Sequence, residues 1–296
     1  MDLVRIKGNT CYIKAATNVG VYVFAGGCCL LIDTGFTGAQ ARMIDETVKN
    51  NNIRLQYIVN THIHLDHCRG NIYFQRNYPR CKVYTSQSEK PFAENPSLLA
   101  AIFFSANPLP DLDRGPRRFP IDHYLETGVW KIEEQEFEII PLVGHTIGQI
   151  GLITPDRVCF LGDSIFSAST LEKYLIPYRY DIGKSITTLH SLSEVDADYF
   201  VISHDGDAFA GEELPGLVAK NLENINTVQQ QILELLRQPL SKEDLVEQLA
   251  TNNDLPLNLM EYHVIFSTVS AFLTYLLERK LINYHVQKGR LLFQSL

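Results

Sequence analysis

In the stretch Asn60-Thr61-His62-Ile63-His64-Leu65-Asp66-His67, three histidines and one aspartate fall within six residues. Neutral imidazole and carboxylate are borderline-to-hard ligands, suited to zinc and also to iron or manganese. One reading is a set of unrelated surface or packing histidines, as a lone histidine usually is. Four ligand-type residues at this spacing favour the other reading, a metal site. The chemistry open to such a site is metal-assisted attack by water. A divalent ion brings the pKa of water toward neutrality and polarises the group under attack.

The elements around the motif must aim these side chains. Leu55-Gln56-Tyr57-Ile58-Val59 precedes it directly. That run is apolar, rich in β-formers and too short for a helix, so it predicts a buried strand. The motif then sits where a strand empties into a loop. His62 and His64 alternate by two and share a side in extended backbone. Asp66 and His67 follow where the chain bends, and can face a second position beside the first. Upstream, residues 3–34 read as a strand meander, with Gly26-Gly27 turning into Cys29–Asp33. Residues 37–51 carry a helical pattern through Ala41, Ile44 and Val48. Cys81–Tyr84 reads as a further strand. Strand–helix–strand alternation with the motif at a strand end predicts an α/β layout, with the site outside the strand tips.

The motif resembles the HxHxDH signature of the metallo-β-lactamase fold superfamily. Downstream, Gly144-His145-Thr146-Ile147-Gly148-Gln149 resembles the family's next histidine segment, Phe160-Leu161-Gly162-Asp163 its aspartate-bearing strand end, and Val201-Ile202-Ser203-His204 its last strand and histidine. Upstream, Leu30-Leu31-Ile32-Asp33-Thr34-Gly35 resembles its early strand and turn. The resemblance implies an αββα sandwich. It assigns His62, His64 and His145 to one metal and Asp66, His67 and His204 to another, with Asp163 bridging them. By spacing alone, Asp33 either orients a ligand histidine or accepts backbone hydrogen bonds in its turn. The resemblance favours the orienting role.

Resemblance and ligand chemistry together imply a dinuclear metal-dependent hydrolase. A metal-bridging hydroxide would attack an ester, thioester, lactone or phosphodiester. The catalytic carboxylates would be Asp66, orienting the nucleophile, and Asp163, offsetting the repulsion between two cations. Two divalent ions are expected, Zn2+ first and Fe or Mn as alternatives. His64 stands where related diiron proteins carry glutamate, which favours zinc. Competing readings are a mononuclear iron enzyme resembling persulfide dioxygenases, a nuclease aided by the C-terminal region, and a non-catalytic structural or sensing metal site.

The rest of the chain bounds these readings. Residues 86–128 hold Pro91, Pro96, Pro108, Pro110, Pro116 and Pro120 among aromatic residues, and read as an insertion or lid on the substrate side. Lys173, Tyr174 and Arg179, after the bridging aspartate, are candidate substrate contacts. Composition changes near Pro215, dividing a catalytic domain at 1–215 from a helical domain at 216–296. Helices followed by a hairpin around Gly289 resemble the winged-helix domain that some family members carry. Its would-be reading helix, 270–280, has only Arg279 and Lys280 at its far end. That suits packing or a homodimer contact better than phosphate binding, which needs several basic side chains. The balance of 34 acidic against 26 basic residues, net −8, argues the same way against nucleic acid and for a small-molecule substrate. The six cysteines form no CxxC pair and predict no disulfide scaffold. No signal peptide or membrane-length apolar run is visible, so a cytoplasmic setting is expected.

Overall fold

The computed structural model describes residues 1–106 and 118–296. Pro108, Pro110 and Pro116 of the proline-rich stretch lie outside the described residues.

The chain begins as a meander and then turns parallel. Strands β1 (Leu3–Lys7), β2 (Thr10–Ile13), β3 (Val19–Val23) and β4 (Cys28–Ile32) pair antiparallel in chain order. Helix α1 (Gly38–Asn50), N-capped by the Thr37 side chain, carries the chain back to β5 (Arg54–Val59), parallel to β4. The short α2 (Leu65–Cys68) and α3 (Asn71–Asn77) lead to β6 (Lys82–Ser86), again parallel. All five residues of β4 are buried, as a central strand covered on both faces requires.

The stretch from 86 to 128 is more than an excursion. A 3₁₀ turn (Gln87–Glu89), α4 (Lys90–Glu94) and α5 (Ser97–Phe104) leave the sheet, and β7 (His123–Leu125) returns to pair with β6. It completes a seven-stranded sheet in simple chain order. The His123 ring, given no role by sequence, stacks on Tyr84 at 5.0 Å.

The second sheet has the order β13-β12-β11-β10-β9-β8. It comprises β8 (Gly128–Ile132), β9 (Gln135–Pro141), β10 (Ile150–Ile153), β11 (Val158–Phe160), β12 (Tyr199–Val201) and β13 (Phe209–Ala210). Only β11 and β12 are parallel neighbours here, and their crossover carries α6 (Ala168–Lys173) and α7 (Ile182–Ser191). The chain then forms α8 (Leu214–Leu235), α9 (Lys242–Asn252) and α10 (Leu259–Glu278), and a hairpin of β14 (Ile282–Gln287) and β15 (Arg290–Ser295). A capping box of Ser241 and Asp244 starts α9 where the sequence places it.

Three buried layers hold these parts together. Between the sheets lie Tyr22, Phe24, Leu30, Phe137, Leu152 and Phe160. The outer face of the first sheet packs Val21, Leu31 and Ile58 against Ile44, Val48 and Phe74 of α1 and α3. The outer face of the second sheet packs Leu142, Leu161 and Ile202 against helices, in a core running without a break from Leu189 of α7 through Ile225 of α8 to Phe272 of α10. The architecture is helix–sheet–sheet–helix, the expected sandwich, with a C-terminal helical region. Among the described residues, no helix is long and apolar enough to cross a membrane.

Candidate metal centre

The first sheet delivers the motif residues from one strand end. Past Val59 of β5, Asn60 and Thr61 are buried and hydrogen-bonded, which fixes the loop. The Asn60 amide donates to the carbonyl of His67, which also accepts from Thr34. Asn71 donates to Asn60 at 2.6 Å and accepts from Thr34 at 2.8 Å. This polar network holds the first turn of α2, and with it Asp66 and His67, against the tip of β5. Behind it stands Asp33, whose Oδ1 accepts from the Thr61 backbone at 2.8 Å and whose Oδ2 faces His67 Nδ1 at 2.8 Å. Asp33 thus faces His67, and the backbone N–H from which it accepts is that of Thr61 in the motif loop, not one in its own turn. Its backbone adopts φ 64°, the left-handed region that Asp visits more readily than most residues.

The second sheet delivers the other residues from three connections. His145 lies between β9 and β10. Gly144 before it has φ 130°, and a Cβ there would stand 2.6 Å from the backbone nitrogen of Ser185, so only glycine fits. Asp163 follows β11, its backbone N–H donating to Gln149 Oε1 at 3.2 Å. His204 follows β12, with Nδ1 2.8 Å from the carbonyl of Ala16. His145 Nδ1 is 3.0 Å from the carbonyl of Tyr178. A backbone carbonyl at Nδ1 holds a proton there and turns Nε2 inward, where His145 meets His64 at 2.9 Å and His204 meets Asp66 and Asp163.

The seven residues converge in two groups, His62, His64 and His145 in one and Asp66, His67, Asp163 and His204 in the other. Within each group the ligand-type atoms lie within 4.8 Å of one another. Asp163 touches both: Oδ2 is 3.5 Å from His145 Nε2 and 3.3 Å from His204 Nε2, while Oδ1 is 3.4 Å from His67 Nε2. His62 Nε2, His67 Nε2 and Asp163 Oδ1 are buried without a hydrogen-bond partner. Buried polar atoms are almost always satisfied, so three orphans spread over the two ligand groups fit bound cations. A nitrogen- and oxygen-rich donor set of this kind suits divalent ions.

Electrostatics sort the ligands by group. Burial pushes the rings of His62, His64 and His145 down, His64 to about 3 and His145 to about 4. They stay neutral, the form in which imidazole binds a cation. At His204, burial opposes the charged form, but Asp163 and Asp66 outweigh it and push the ring up to about 12. His67 is raised in the same way. Burial works against the charged carboxylates, yet His67 and His204 hold Asp66 and Asp163 below the ordinary carboxylate range. Protons and a divalent cation compete for these atoms, so binding should release protons.

A cavity of about 810 Å³ opens onto His64, Asp66, His145, Asp163 and His204. Lys173 and Tyr174 line it, as the sequence suggests. Arg179 does not. It is 1% exposed, lies over the Phe166 ring at 5.0 Å and donates to Asn221 Oδ1 at 3.3 Å. Its place on the cavity side is taken by the neighbouring Tyr178 ring, 5.4 Å from His64. Chain alternation turns one side chain out as it turns the next in.

Sequence reading passed over Glu89. It is 1% exposed and accepts three hydrogen bonds, from Ile63 N–H at 3.1 Å, Thr146 hydroxyl at 2.6 Å and Gly148 N–H at 3.0 Å. It thereby ties the loop of His62 and His64 to the loop of His145. Cys68, beside His67, is fully buried, and burial raises its thiol far above the ordinary value, so it packs as a neutral group.

Comparison with known proteins agrees with this fold. Residues 14–204 match the family model of the metallo-beta-lactamase superfamily. A probable metallo-hydrolase of Methanocaldococcus jannaschii is 27% identical over 147 residues, 49% of this chain and 66% of that protein, just under two thirds of its length. A metallo-beta-lactamase family protein of Thermus thermophilus superposes with TM-score 0.74 at 16% identity, over 99% of this chain and 97% of that one. A beta-lactamase domain protein of Burkholderia ambifaria gives TM-score 0.74 at 15% identity, over 100% and 94%. At these identities the structures speak for the fold, which they share over the whole length, C-terminal helices and hairpin included.

Proposed function

Because the chain belongs to the metallo-beta-lactamase superfamily, we propose that it is a dinuclear metal-dependent hydrolase acting on an ester, thioester or lactone carbonyl. The observation that carries the reading is Asp163. Its carboxylate lies between the two ligand groups, with one buried oxygen lacking any hydrogen-bond partner. The name of the Methanocaldococcus relative, a probable metallo-hydrolase, supports hydrolysis as the reaction class.

In this reading His62, His64 and His145 hold one ion, Asp66, His67 and His204 hold the other, and Asp163 serves both. Divalent ions in these positions supply Lewis acidity and a water of near-neutral pKa. The chain's own part is positioning. Asp33, Tyr178 and Ala16 fix the outer nitrogens of His67, His145 and His204, so the inner nitrogens are aimed in advance. Asp66 is the more open of the two carboxylates, its side chain 39% exposed against 7% for Asp163. It lines the cavity and would accept the hydrogen bond that orients the attacking water.

Metal quantification followed by an activity panel on the same sample tests the proposal. Two divalent ions per chain are expected, zinc first, with hydrolysis of esters, thioesters or lactones that Asp163→Asn abolishes. One iron per chain with oxygen uptake would replace the reading with a redox one. Hydrolysis surviving in Asp163→Asn would trace the activity to another site or a contaminant.

A further inference from the structure

The cavity above the ligand cluster has an uneven chemistry. Its floor is the histidines and aspartates, and above the floor the walls are mainly apolar, with Thr170, Lys173, Asp205 and Glu261 as polar exceptions towards the rim. Phe103 of α5 lies 4.9 Å from the Tyr178 ring, and Leu257, Met260 and Val264 enter from the C-terminal region. Among the described lining residues Lys173 is the single lysine or arginine, and its ammonium sits 4.8 Å over the Tyr174 ring at the rim. Helix α5 adds a second observation. Its sequence Ser97-Leu98-Leu99-Ala100-Ala101-Ile102-Phe103-Phe104 is apolar on every side, yet each of these residues remains half-buried or exposed. A helix apolar all round is normally buried, so α5 offers apolar surface for something to cover. About 810 Å³ is room for a substrate much larger than an acetyl group. A polyanion needs several basic contacts, and the described lining residues offer one.

We propose that the substrate is a carboxylic ester or thioester of an extended apolar acyl chain. The carbonyl sits at the ligand cluster, and the chain lies between α5 and the start of α10. The C-terminal region then forms one wall of the substrate site, and Val264 and Met260 set how long a chain fits. This rests on the hydrolase reading. In the reaction, water adds to the carbonyl carbon, the carbon–oxygen or carbon–sulfur bond breaks, and the leaving alkoxide or thiolate takes up a proton, giving the free acid.

The test pairs kinetics with binding. Metal-loaded protein is assayed on p-nitrophenyl esters and the matching acyl thioesters from acetyl to decanoyl, and the corresponding N-methyl alkanamides are titrated calorimetrically as resistant carbonyl probes. Burial of each methylene predicts a rise in kcat/KM of up to about fourfold per carbon until the cavity is full, and a parallel tightening of the amides. Val264→Trp should flatten both series, with its melting temperature checked to show that it folds. Esters hydrolysed with no preference for length overturn the inference and leave the hydrolase reading standing. Length-dependent amide binding without hydrolysis of any ester or thioester supports the chain subsite and removes the hydrolase reading. Neither length-dependent binding nor hydrolysis overturns both.

Discussion

Asp33 shows how one side chain serves backbone and site together. Replacing it with Asn keeps a residue that tolerates its left-handed backbone, but removes the charge facing His67 and turns one accepting oxygen into an amide donor. Losing such a partner behind a ligand typically costs about 10–100-fold in metal affinity. Chelator competition on Asp33→Asn should show a drop of that order, and an unchanged affinity would deny Asp33 its orienting role. Asp45 carries a different test, away from the metal centre. Buried on α1, it accepts hydrogen bonds from Lys49, Tyr73 and Tyr78. Burial would raise its pKa, but these donors outweigh it and hold the carboxyl below its ordinary 3.8. A depressed folded pKa means stability that is full above the unfolded value and lost as pH falls through the folded one. Asp45→Asn should therefore cost about 1–3 kcal/mol at neutral pH, with a gap from the parent that closes below about pH 3.8. Denaturant midpoints at pH 7 and pH 3 measure it, and an equal gap at both would refute the linkage. The converging histidines and aspartates were readable because a cation demands particular donors at particular spacings. Glu89 was not, because a carboxylate that accepts from backbone and hydroxyl groups leaves no pattern in the sequence.

Elements differ in how much of themselves they announce. The start of α9 was legible because a capping box is a local rule, with Ser241 and Asp244 satisfying each other's backbone. Ser241→Ala should lower stability by about 1 kcal/mol in urea titrations, and no loss would mean that Arg290, which donates to the same carboxylate, holds the turn alone. Strand β7 was not legible. Three residues in proline-rich surroundings carry no period, and they become a strand because the edge of β6 offers unpaired backbone groups. The turn before His145 lies between these cases. Gly144→Ala forces a side chain into the backbone of Ser185 at a φ that alanine rarely adopts. It should displace His145 and lower metal stoichiometry while far-UV dichroism stays native. Full stoichiometry in that variant would show that the loop can move.

At the scale of the whole molecule, the sandwich was legible and the cavity was not. Alternating strand and helix patterns are local, whereas Phe36, Phe103, Tyr178 and Val264 meet only after the chain has folded. The core behind the second sheet continues into α8 and α10, so the expected boundary near 215 does not interrupt packing. Phe272→Ala opens a cavity in that core, at a cost of about 3–5 kcal/mol. Calorimetry should show one transition shifted down as a unit, and a separate early melt of the C-terminal region would argue for independent folding. The layout of the ligand residues has a further consequence. His62, His64, Asp66 and His67 hang from the first sheet, and His145, Asp163 and His204 from the second. In the proposed reading, an ion gripped from both sides would rivet the sandwich. Its grip would add about 2.7 kcal/mol to the folded state at a free concentration one hundred times its Kd. The temperature at which the two halves part thus becomes a gauge of how much metal the surroundings supply.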